Sequence, residues 1–148
     1  MKIFLGSDQS GVTYRDTIYE YLRSLNHEVE KIDDFENLPD YPDVAKEVCQ
    51  KVLVTKDSRG ILICGTGMGM CLSANKIKGI RATLCHSVYA ALKSRSSNDA
   101  NILTLGALTT GIEDAKSIVE TWVKEYAINE GSKVKIEKIL EIENENFK

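Results

Sequence analysis

The sequence is poor in the residues that build metal centres and disulfide frameworks. It contains two histidines and four cysteines in 148 residues, and no two cysteines have CxxC spacing. Structural zinc sites and disulfide-rich folds need closely spaced or numerous cysteines. We therefore predict no metal, expect reduced thiols, and assign Cys49, Cys71 and Cys85 to the core.

The chain also lacks an excess of positive charge and a long apolar run. Its net charge is −3, and its lysines are scattered among acidic residues. Nucleic-acid binding requires a basic stripe, and a membrane-spanning helix requires about 18 or more consecutive apolar residues. The first residues, MKIFLGSD, reach glycine and charge too early for a signal peptide. We expect a cytoplasmic protein that contacts no nucleic acid and no membrane and whose ligand is a small molecule.

Length and composition predict one domain. An apolar share of 43% over 148 residues can supply a single sizeable core. We treat residues 1–148 as this domain, with a charged, weakly amphipathic helical tail from about residue 132. The tail is predicted to dock on the domain or on a partner subunit.

Short β-rich runs alternate with longer segments of helical period, which is the pattern of a parallel sheet covered by helices. The predicted fold class is α/β, a three-layer α/β/α Rossmann-like fold with a five-stranded parallel sheet. The predicted strands are KIFLG at 2–6, EVEKI at 28–32, GILIC at 60–64, IRATLC at 80–85 and NILTLG at 101–106. Pro39 and Pro42 predict an irregular connection after the second strand.

Ligands of open α/β sheets bind beyond the carboxyl ends of the strands. Asp8 and Gln9 follow the first strand, Cys64 ends the third, and His86 follows the fourth. A carboxylate, a thiol and an imidazole are therefore expected at one rim of the sheet.

The segment GTGMG combines a glycine turn with the start of a helix. Gly65, Gly67 and Gly69 let the backbone approach a ligand, and a helix start attracts anions. The spacing is neither GxGxxG nor a Walker motif, which favours an anion formed during a reaction, such as an enediolate, over a cofactor phosphate. The same amides favour a thiolate at Cys64, which could act as a base or a nucleophile. Alternatively, Cys64 is only the last buried residue of its strand.

One long motif and three shorter ones resemble a known family. CGTGMGMCLSANKIKGIRATLCH, with SDQSG at 7–11, DYPD at 40–43 and NDANILTLGA at 98–107, is similar to type B ribose-5-phosphate isomerases and galactose-6-phosphate isomerases. The resemblance covers about residues 1–143. It implies a Rossmann-like sheet, isomerisation of an aldose phosphate to its ketose, no cofactor, and a homodimer or homotetramer with the site at the subunit interface.

The resemblance also implies roles for particular residues. Cys64 matches the catalytic base, Thr66 the hydroxyl that assists it, and Asn98 an asparagine that reaches across the interface. Met70 stands where one branch of the family has a glutamate base, which favours the cysteine mechanism. The substrate-binding positions are Asp8, Gln9, Tyr41, Gly65, Gly67, Met68, Gly69, Met70, Ser97, Asn98, Lys133 and Lys135.

The chain departs from the family pattern at several positions. Gln9 and Ser97 replace histidines, the second of which is credited with opening the furanose ring, and Leu108 replaces an arginine. Lys133 and Lys135 stand in for an arginine-rich patch near the C-terminus. Lysine binds phosphate as a point charge, without the bidentate fork of arginine.

Three functions remain open at this stage. The first is the interconversion of ribose 5-phosphate and ribulose 5-phosphate through an enediolate, with a cysteine base. The second is a hexose 6-phosphate isomerase of the galactose- or allose-6-phosphate type, including the case of one subunit in a hetero-oligomer. The third is a non-catalytic sugar-phosphate binder.

Overall fold

The computed structural model describes residues 1–147, in which five strands alternate with helices. The strands are β1 (Lys2–Ser7), β2 (Glu28–Ile32), β3 (Ser58–Cys64), β4 (Ala82–Leu84) and β5 (Ile102–Gly106). The helices are α1 (Val12–Ser24), α2 (Tyr41–Val54), α3 (Met68–Ala74), α4 (Val88–Ser96), α5 (Ile112–Lys124) and α6 (Lys133–Asn146). Short 3₁₀ turns at Gln9–Gly11 and Glu130–Ser132 precede α1 and α6.

All neighbouring strands are parallel, in the order β2-β1-β3-β5-β4. The chain moves outward from β1 to β2, returns past β1 to β3, and then continues to the other half of the sheet. Connections therefore leave β1 and β3 in opposite directions, which opens a crevice at their carboxyl ends. Ser7 pairs with Ile63 in register, so Asp8 and Cys64 emerge side by side at this crevice.

The sheet separates two apolar layers, because successive side chains of a strand point to opposite faces. Ile61 packs in one layer with Ile18 of α1 and Trp122 of α5, and this layer also includes α4. Leu62 packs in the other layer with Val48 of α2, and this layer also includes α3. Each fully buried side chain of this size contributes about 1.5–3 kcal/mol. The predicted three-layer α/β/α fold with a five-stranded parallel sheet is confirmed.

The ends of β1, β3 and β5 differ from the prediction by one or two residues, and two further differences have a clear local cause. The predicted irregular connection ends earlier, because α2 begins at Tyr41 and includes Pro42 in its first turn. Proline is tolerated there, since the first amides of a helix have no intrahelical partner, and the Asp43 carboxylate accepts from the Asp40 amide at the helix start. Strand β4 is shorter than predicted because the Arg81 amide donates to the Asn101 side chain instead of a neighbouring strand.

Buried arginines fix the segment between α5 and α6. The Arg59 guanidinium donates to the backbone carbonyls of Trp122 and Glu125, and Arg95 also donates to Glu125. The Asn129 amide then donates to the Ser96 carbonyl at the end of α4. These contacts place the start of α6 beside the C-terminal end of α4, at the edge of the sheet where the strands begin. Within residues 1–147, no helix is both long and apolar enough to cross a membrane.

Candidate active site

The crevice between β1 and β3 presents a carboxylate. Asp8 follows β1, and its amide donates to the Ile63 carbonyl of β3 at 3.2 Å. Asp8 Oδ1 accepts hydrogen bonds from Ser10 Oγ at 2.7 Å and from the Gly11 amide at 3.0 Å. These two donors hold the carboxylate at the rim as a hydrogen-bond acceptor, with Gln9 exposed beside it.

The Cys64 thiol lies on the other side of the same crevice. Cys64 ends β3, is 5% exposed, and has its Sγ 3.1 Å from the Gly67 amide, which donates to it. This hydrogen bond holds the sulfur atom against the glycine turn, at the start of α3. Cys64 is therefore the last buried residue of its strand, and its sulfur atom also faces the glycine turn. Both sequence-based interpretations of this cysteine agree with the structure.

The glycine turn presents unpaired amides to the crevice. Gly67 has φ +77°, a left-handed conformation that glycine adopts without strain, and α3 begins immediately after it. Thr66 Oγ1 accepts from the Met68 amide at 3.3 Å. The amides of Gly69 and Met70 have no hydrogen-bond partner within residues 1–147, as expected at a helix start. They are available to an oxyanion.

The side chains of the turn face different surroundings. The Met68 side chain is exposed, whereas the Met70 side chain is fully buried between α3 and the sheet. Only the backbone amide of Met70 can therefore meet a ligand. Tyr41 packs on the turn from the start of α2. A Cβ atom added at Gly69 would lie 2.6 Å from the Tyr41 ring, so glycine at this position lets the ring lie against the backbone.

The end of β5 closes the third side of the crevice. A Cβ atom added at Gly106 would lie 2.6 Å from the Thr66 carbonyl carbon, so the missing side chain lets the two segments touch. The Leu108 amide donates to the Gly65 carbonyl at 2.9 Å, and the Leu108 side chain is 85% exposed. The sequence pattern assigns no binding or catalytic role to Gly106 or Ser10, although Gly106 ends the fifth strand at the predicted ligand edge. Its signal in the sequence is a glycine at the end of an apolar strand.

The other three cysteines are poor candidates for a thiolate. Burial raises the pKa of Cys49 to about 12, and burial also raises the pKa values of Cys71 and Cys85. These thiols therefore stay protonated near neutral pH. Cys49 and Cys85 are buried, as predicted, and Cys71 is half-buried against the same core. No three His, Cys, Asp or Glu side chains within residues 1–147 are grouped as metal ligands.

Four predicted site residues lie at the opposite edge of the sheet from Cys64. Ser97 and Asn98 follow α4, and Lys133 and Lys135 are exposed in the first turn of α6. Asn98 lines a groove of about 730 Å³ between α6 and β4, whose apolar lining includes Ile80, Ile139 and Ile142. One chain therefore carries two separate sets of predicted site residues.

His86 does not face Cys64. It is exposed after β4 and lines a small cavity of about 260 Å³ with Ser87 and Asp114, on the side of the sheet covered by α4 and α5. Cys64 packs on the opposite side, with α2 and α3. All three residues follow the carboxyl ends of strands, as expected, but the imidazole and the thiol lie on opposite sides of the sheet, so His86 does not join Cys64 and Asp8 in the crevice.

Comparison with known proteins places this arrangement in a family. The family model described as Ribose/Galactose Isomerase matches residues 3–139. The chain is 41% identical over 147 residues to the ribose-5-P isomerase B of Listeria innocua, with 99% of both chains covered. It is 40% identical over 141 residues to the D-erythrulose-4-phosphate isomerase of Pectobacterium atrosepticum, with 94% of this chain and 93% of the relative covered.

Solved structures agree with the sequence relatives. The ribose-5-phosphate isomerase B of Clostridium thermocellum superposes with a TM-score of 0.91 at 40% identity, covering 98% of this chain and 99% of the other. Fold, motifs and near-complete coverage point the same way. The chain therefore belongs to the ribose/galactose isomerase family, as the resemblance of its motifs predicts.

Proposed function

We propose that this chain is an aldose–ketose isomerase that interconverts ribose 5-phosphate and ribulose 5-phosphate, with Cys64 as the base. The observation that carries the proposal is the hydrogen bond from the Gly67 amide to Cys64 Sγ, beside the unpaired amides of Gly69 and Met70. Isomerisation next to a carbonyl requires a base and donors for the oxyanion that forms. Both lie within one turn.

The reaction follows from these positions. The Cys64 thiolate removes the proton from C2 of the open-chain aldose, and the carbonyl electrons move to O1 to give an enediolate. The amides of Gly69 and Met70 stabilise the oxyanion, and the Thr66 hydroxyl carries a proton from O2 to O1. The Cys64 thiol then protonates C1, which completes the ketose. The atoms balance without a cofactor, because aldose and ketose are isomers.

A second copy of the chain is proposed to complete the site. Asn98, Lys133 and Lys135 lie at the opposite edge of their own sheet, so they can serve only the Cys64 of another copy. Two exposed side chains of α3, Met68 and Leu72, offer apolar contact next to the glycine turn. Exposed apolar patches mark association surfaces, and the groove along α6 is a matching recess. We therefore propose a homodimer or homotetramer whose lysines bind the substrate phosphate.

The experiment is proton NMR of the protein in deuterated water with ribose 5-phosphate, comparing the unmodified chain with Cys64→Ala. Deuterium is expected at the sugar carbons that exchange protons with the base, and Cys64→Ala should slow its incorporation by about 10²–10⁴-fold. Cys71→Ala is the matched control, because its thiol lies seven residues away against the Ala82 carbonyl and should not affect turnover.

Other substrates test the assignment. Incorporation into galactose 6-phosphate or allose 6-phosphate, but not into ribose 5-phosphate, would overturn the ribose assignment in favour of a hexose 6-phosphate isomerase. Undiminished incorporation with Cys64→Ala would overturn the role of the thiol.

A further inference from the structure

We infer that Asp99 is a positioning residue of the isomerase site, which holds Asn98 in the direction needed to reach the Cys64 of another copy. The inference rests on the proposed function, because Asn98 serves the reaction only when a second copy completes the site. Asp99 itself does not touch the substrate. It acts through the residue that precedes it in the chain.

The backbone changes direction at Asp99. This residue has φ +50°, in the left-handed region that residues other than glycine rarely occupy. Aspartate tolerates this region better than most side chains do, but such a conformation persists only where the surrounding contacts fix it. The Ala100 amide then donates to the Ser94 carbonyl of α4 at 2.9 Å. The turn therefore sets where Asn98 stands, because Asn98 is the residue immediately before it.

Two arginines hold the Asp99 carboxylate. Arg95 Nη1 donates to Asp99 Oδ1 at 2.9 Å, and Arg81 Nη2 donates to Asp99 Oδ2 at 3.0 Å. Arg81 Nε also donates to the Asp99 carbonyl at 2.9 Å, and the Asp99 amide donates to the Arg95 carbonyl at 3.1 Å. The carboxylate, the carbonyl and the amide of one residue are therefore all engaged, and the contacts to the carboxylate are of the strong, charge-assisted kind.

Both arginines are themselves fixed by other parts of the chain. The Arg95 side chain is buried, and its Nε donates to the Glu125 carbonyl at 3.3 Å, in the segment that leads to α6. The Arg81 amide donates to the Asn101 side chain at 2.8 Å, at the start of β5. Asp99 is therefore held between two anchored groups rather than between two mobile surface side chains.

Asn98 has no such support of its own. It is exposed, and it makes no hydrogen bond within residues 1–147. It lines the groove beside α6 together with Ile139 and Ile142. Its amide group can therefore donate to a ligand and accept from it, but its direction depends on the backbone that carries it. Because a small misplacement of a group at a reacting substrate lowers the rate strongly, the contacts of Asp99 should matter for turnover.

The test is a double-mutant cycle on Asp99 and Asn98, with kcat/KM for ribose 5-phosphate as the readout. Asp99→Asn keeps the size of the side chain and its tolerance of a left-handed backbone, but it turns an amide donor towards one of the arginines. It should lower kcat/KM about tenfold when Asn98 is present. In the Asn98→Ala background, whose residual rate is measured at raised enzyme concentration, the same change should lower kcat/KM less than about twofold.

Asp57→Asn is the matched control. Asp57 is also left-handed, with φ +52°, and its carboxylate is also paired with a cation, because Oδ2 lies 3.3 Å from the N-terminal amine. It immediately precedes β3, and its partner is the amine rather than Arg81 or Arg95. Asp57→Asn should therefore keep kcat/KM within about twofold of the unmodified chain.

Arg81→Lys tests the same contacts from the other side. Arginine donates from Nε and Nη2 to two acceptors of Asp99 at once, whereas lysine has a single nitrogen atom. Arg81→Lys should lower kcat/KM about threefold or more, and again only while Asn98 is present. Urea unfolding verifies that each variant is folded. If Asp99→Asn does not fold, the comparison with and without Asn98 is made with Arg81→Lys.

The outcomes separate this inference from the proposed function. A loss of equal size with and without Asn98 would show that Asp99 supports the fold rather than Asn98, and it overturns the inference. A loss no larger than that of Asp57→Asn overturns it as well. Both results leave the isomerase assignment standing, because the unmodified chain still turns over ribose 5-phosphate. Absence of turnover by the unmodified chain overturns the proposed function, and the inference with it.

Discussion

At the scale of single residues, Gly67 determines whether the turn can hold its shape. Its φ is +77°, and an added Cβ atom would lie 2.7 Å from Leu84 Cδ1 and 2.9 Å from the Leu105 carbonyl carbon. Gly67→Ala should therefore lower the free energy of unfolding by about 2–4 kcal/mol, through left-handed strain and overpacking. Urea denaturation followed by circular dichroism measures this change.

Gly131→Ala is the control for the glycine turn. A Cβ atom at Gly131 meets nothing within 4 Å in residues 1–147, and its φ is not positive. Its free energy of unfolding should change by less than about 0.5 kcal/mol. Equal losses in Gly67→Ala and Gly131→Ala would show that the turn is not strained by a side chain.

His27 gives the fold a pH dependence of known sign. Burial lowers its pKa, nearby Lys124 and the N-terminal amine lower it further, and Glu120 opposes them. The unfolded chain therefore binds the proton more readily than the folded chain does. Stability is fully present above the ordinary histidine pKa of about 6.5 and is lost as pH falls below it towards the lower pKa of the folded state.

The pH dependence can be measured as the unfolding temperature of the unmodified chain and of His27→Gln. Between about pH 7 and pH 5 the unfolding temperature of the unmodified chain should fall more steeply, because glutamine does not titrate. Acidic side chains contribute equally to both curves. Parallel curves over this range would show that His27 takes up its proton equally well in the folded and unfolded chains.

At the scale of elements, Arg59 connects β3 to the C-terminal end of α5. Its guanidinium is 2.6 Å from the Trp122 carbonyl and 2.8 Å from the Glu125 carbonyl, and it lies 4.5 Å from the centre of the Tyr126 ring. Burial lowers its pKa to about 10, which leaves it charged at neutral pH. Methionine at this position would fill similar space but leave the Trp122 carbonyl without its side-chain donor and the Glu125 carbonyl with Arg95 alone.

Arg59→Met should therefore lower the free energy of unfolding by about 2–4 kcal/mol. Arg23→Met, on the exposed side of α1, should change it by less than about 0.5 kcal/mol. Thermal or urea unfolding compares the two. Hydrogen exchange should also speed up in α6 of Arg59→Met, because the segment that starts α6 is no longer held. Unchanged exchange in α6 would show that Asn129 alone positions this helix.

The elements differ in how well the sequence predicts them. Strand β3 is predictable because Ile61, Leu62 and Ile63 are all fully buried, and only a central strand of a parallel sheet buries both of its faces. The start of α2 is not predictable in this way, because Pro42 is compatible with a loop and with a first helical turn. The hydrogen bond between the Asp40 amide and the Asp43 carboxylate decides between the two. The local sequence pattern predicts that an element exists, but it does not predict a boundary that depends on one specific contact.

The same limit applies to the site. The proximity of Cys64 and Asp8 is predictable, because both follow strands of one parallel sheet and strand ends share an edge. The separation of His86 from Cys64 is not predictable, because it depends on β5 lying between β3 and β4. The contact between Gly106 and Thr66 likewise depends on which strands are neighbours. Such relations come from topology rather than from spacing along the chain.

At the scale of the whole molecule, the residues proposed for the site divide into two half-sites at opposite edges of the sheet. The first half-site contains Asp8, Cys64 and Thr66, and the second contains Asn98 and the lysines at the start of α6. The two sets cannot meet within one chain. In a closed two-fold dimer, each first half-site faces the second half-site of the other copy, so the molecule would contain two composite sites.

This arrangement predicts that two inactive variants restore each other. Cys64→Ala disables the first half-site and Asn98→Ala the second. In a mixed dimer, one composite site receives both defects and the other receives neither. Equal amounts, unfolded and refolded together, should form mixed dimers in about half of the population and recover about a quarter of the isomerase activity of the unmodified protein.

The matched control pairs two defects within one half-site. Asp8→Ala mixed with Cys64→Ala leaves every composite site of a mixed dimer with one defect, so activity should stay at the level of the separate variants. Native mass spectrometry of the refolded mixtures verifies that subunits have exchanged. If exchange is complete and Cys64→Ala with Asn98→Ala recovers no more activity than the control pair, Asn98 does not serve the Cys64 of another copy, and each chain must work with the residues of its own crevice.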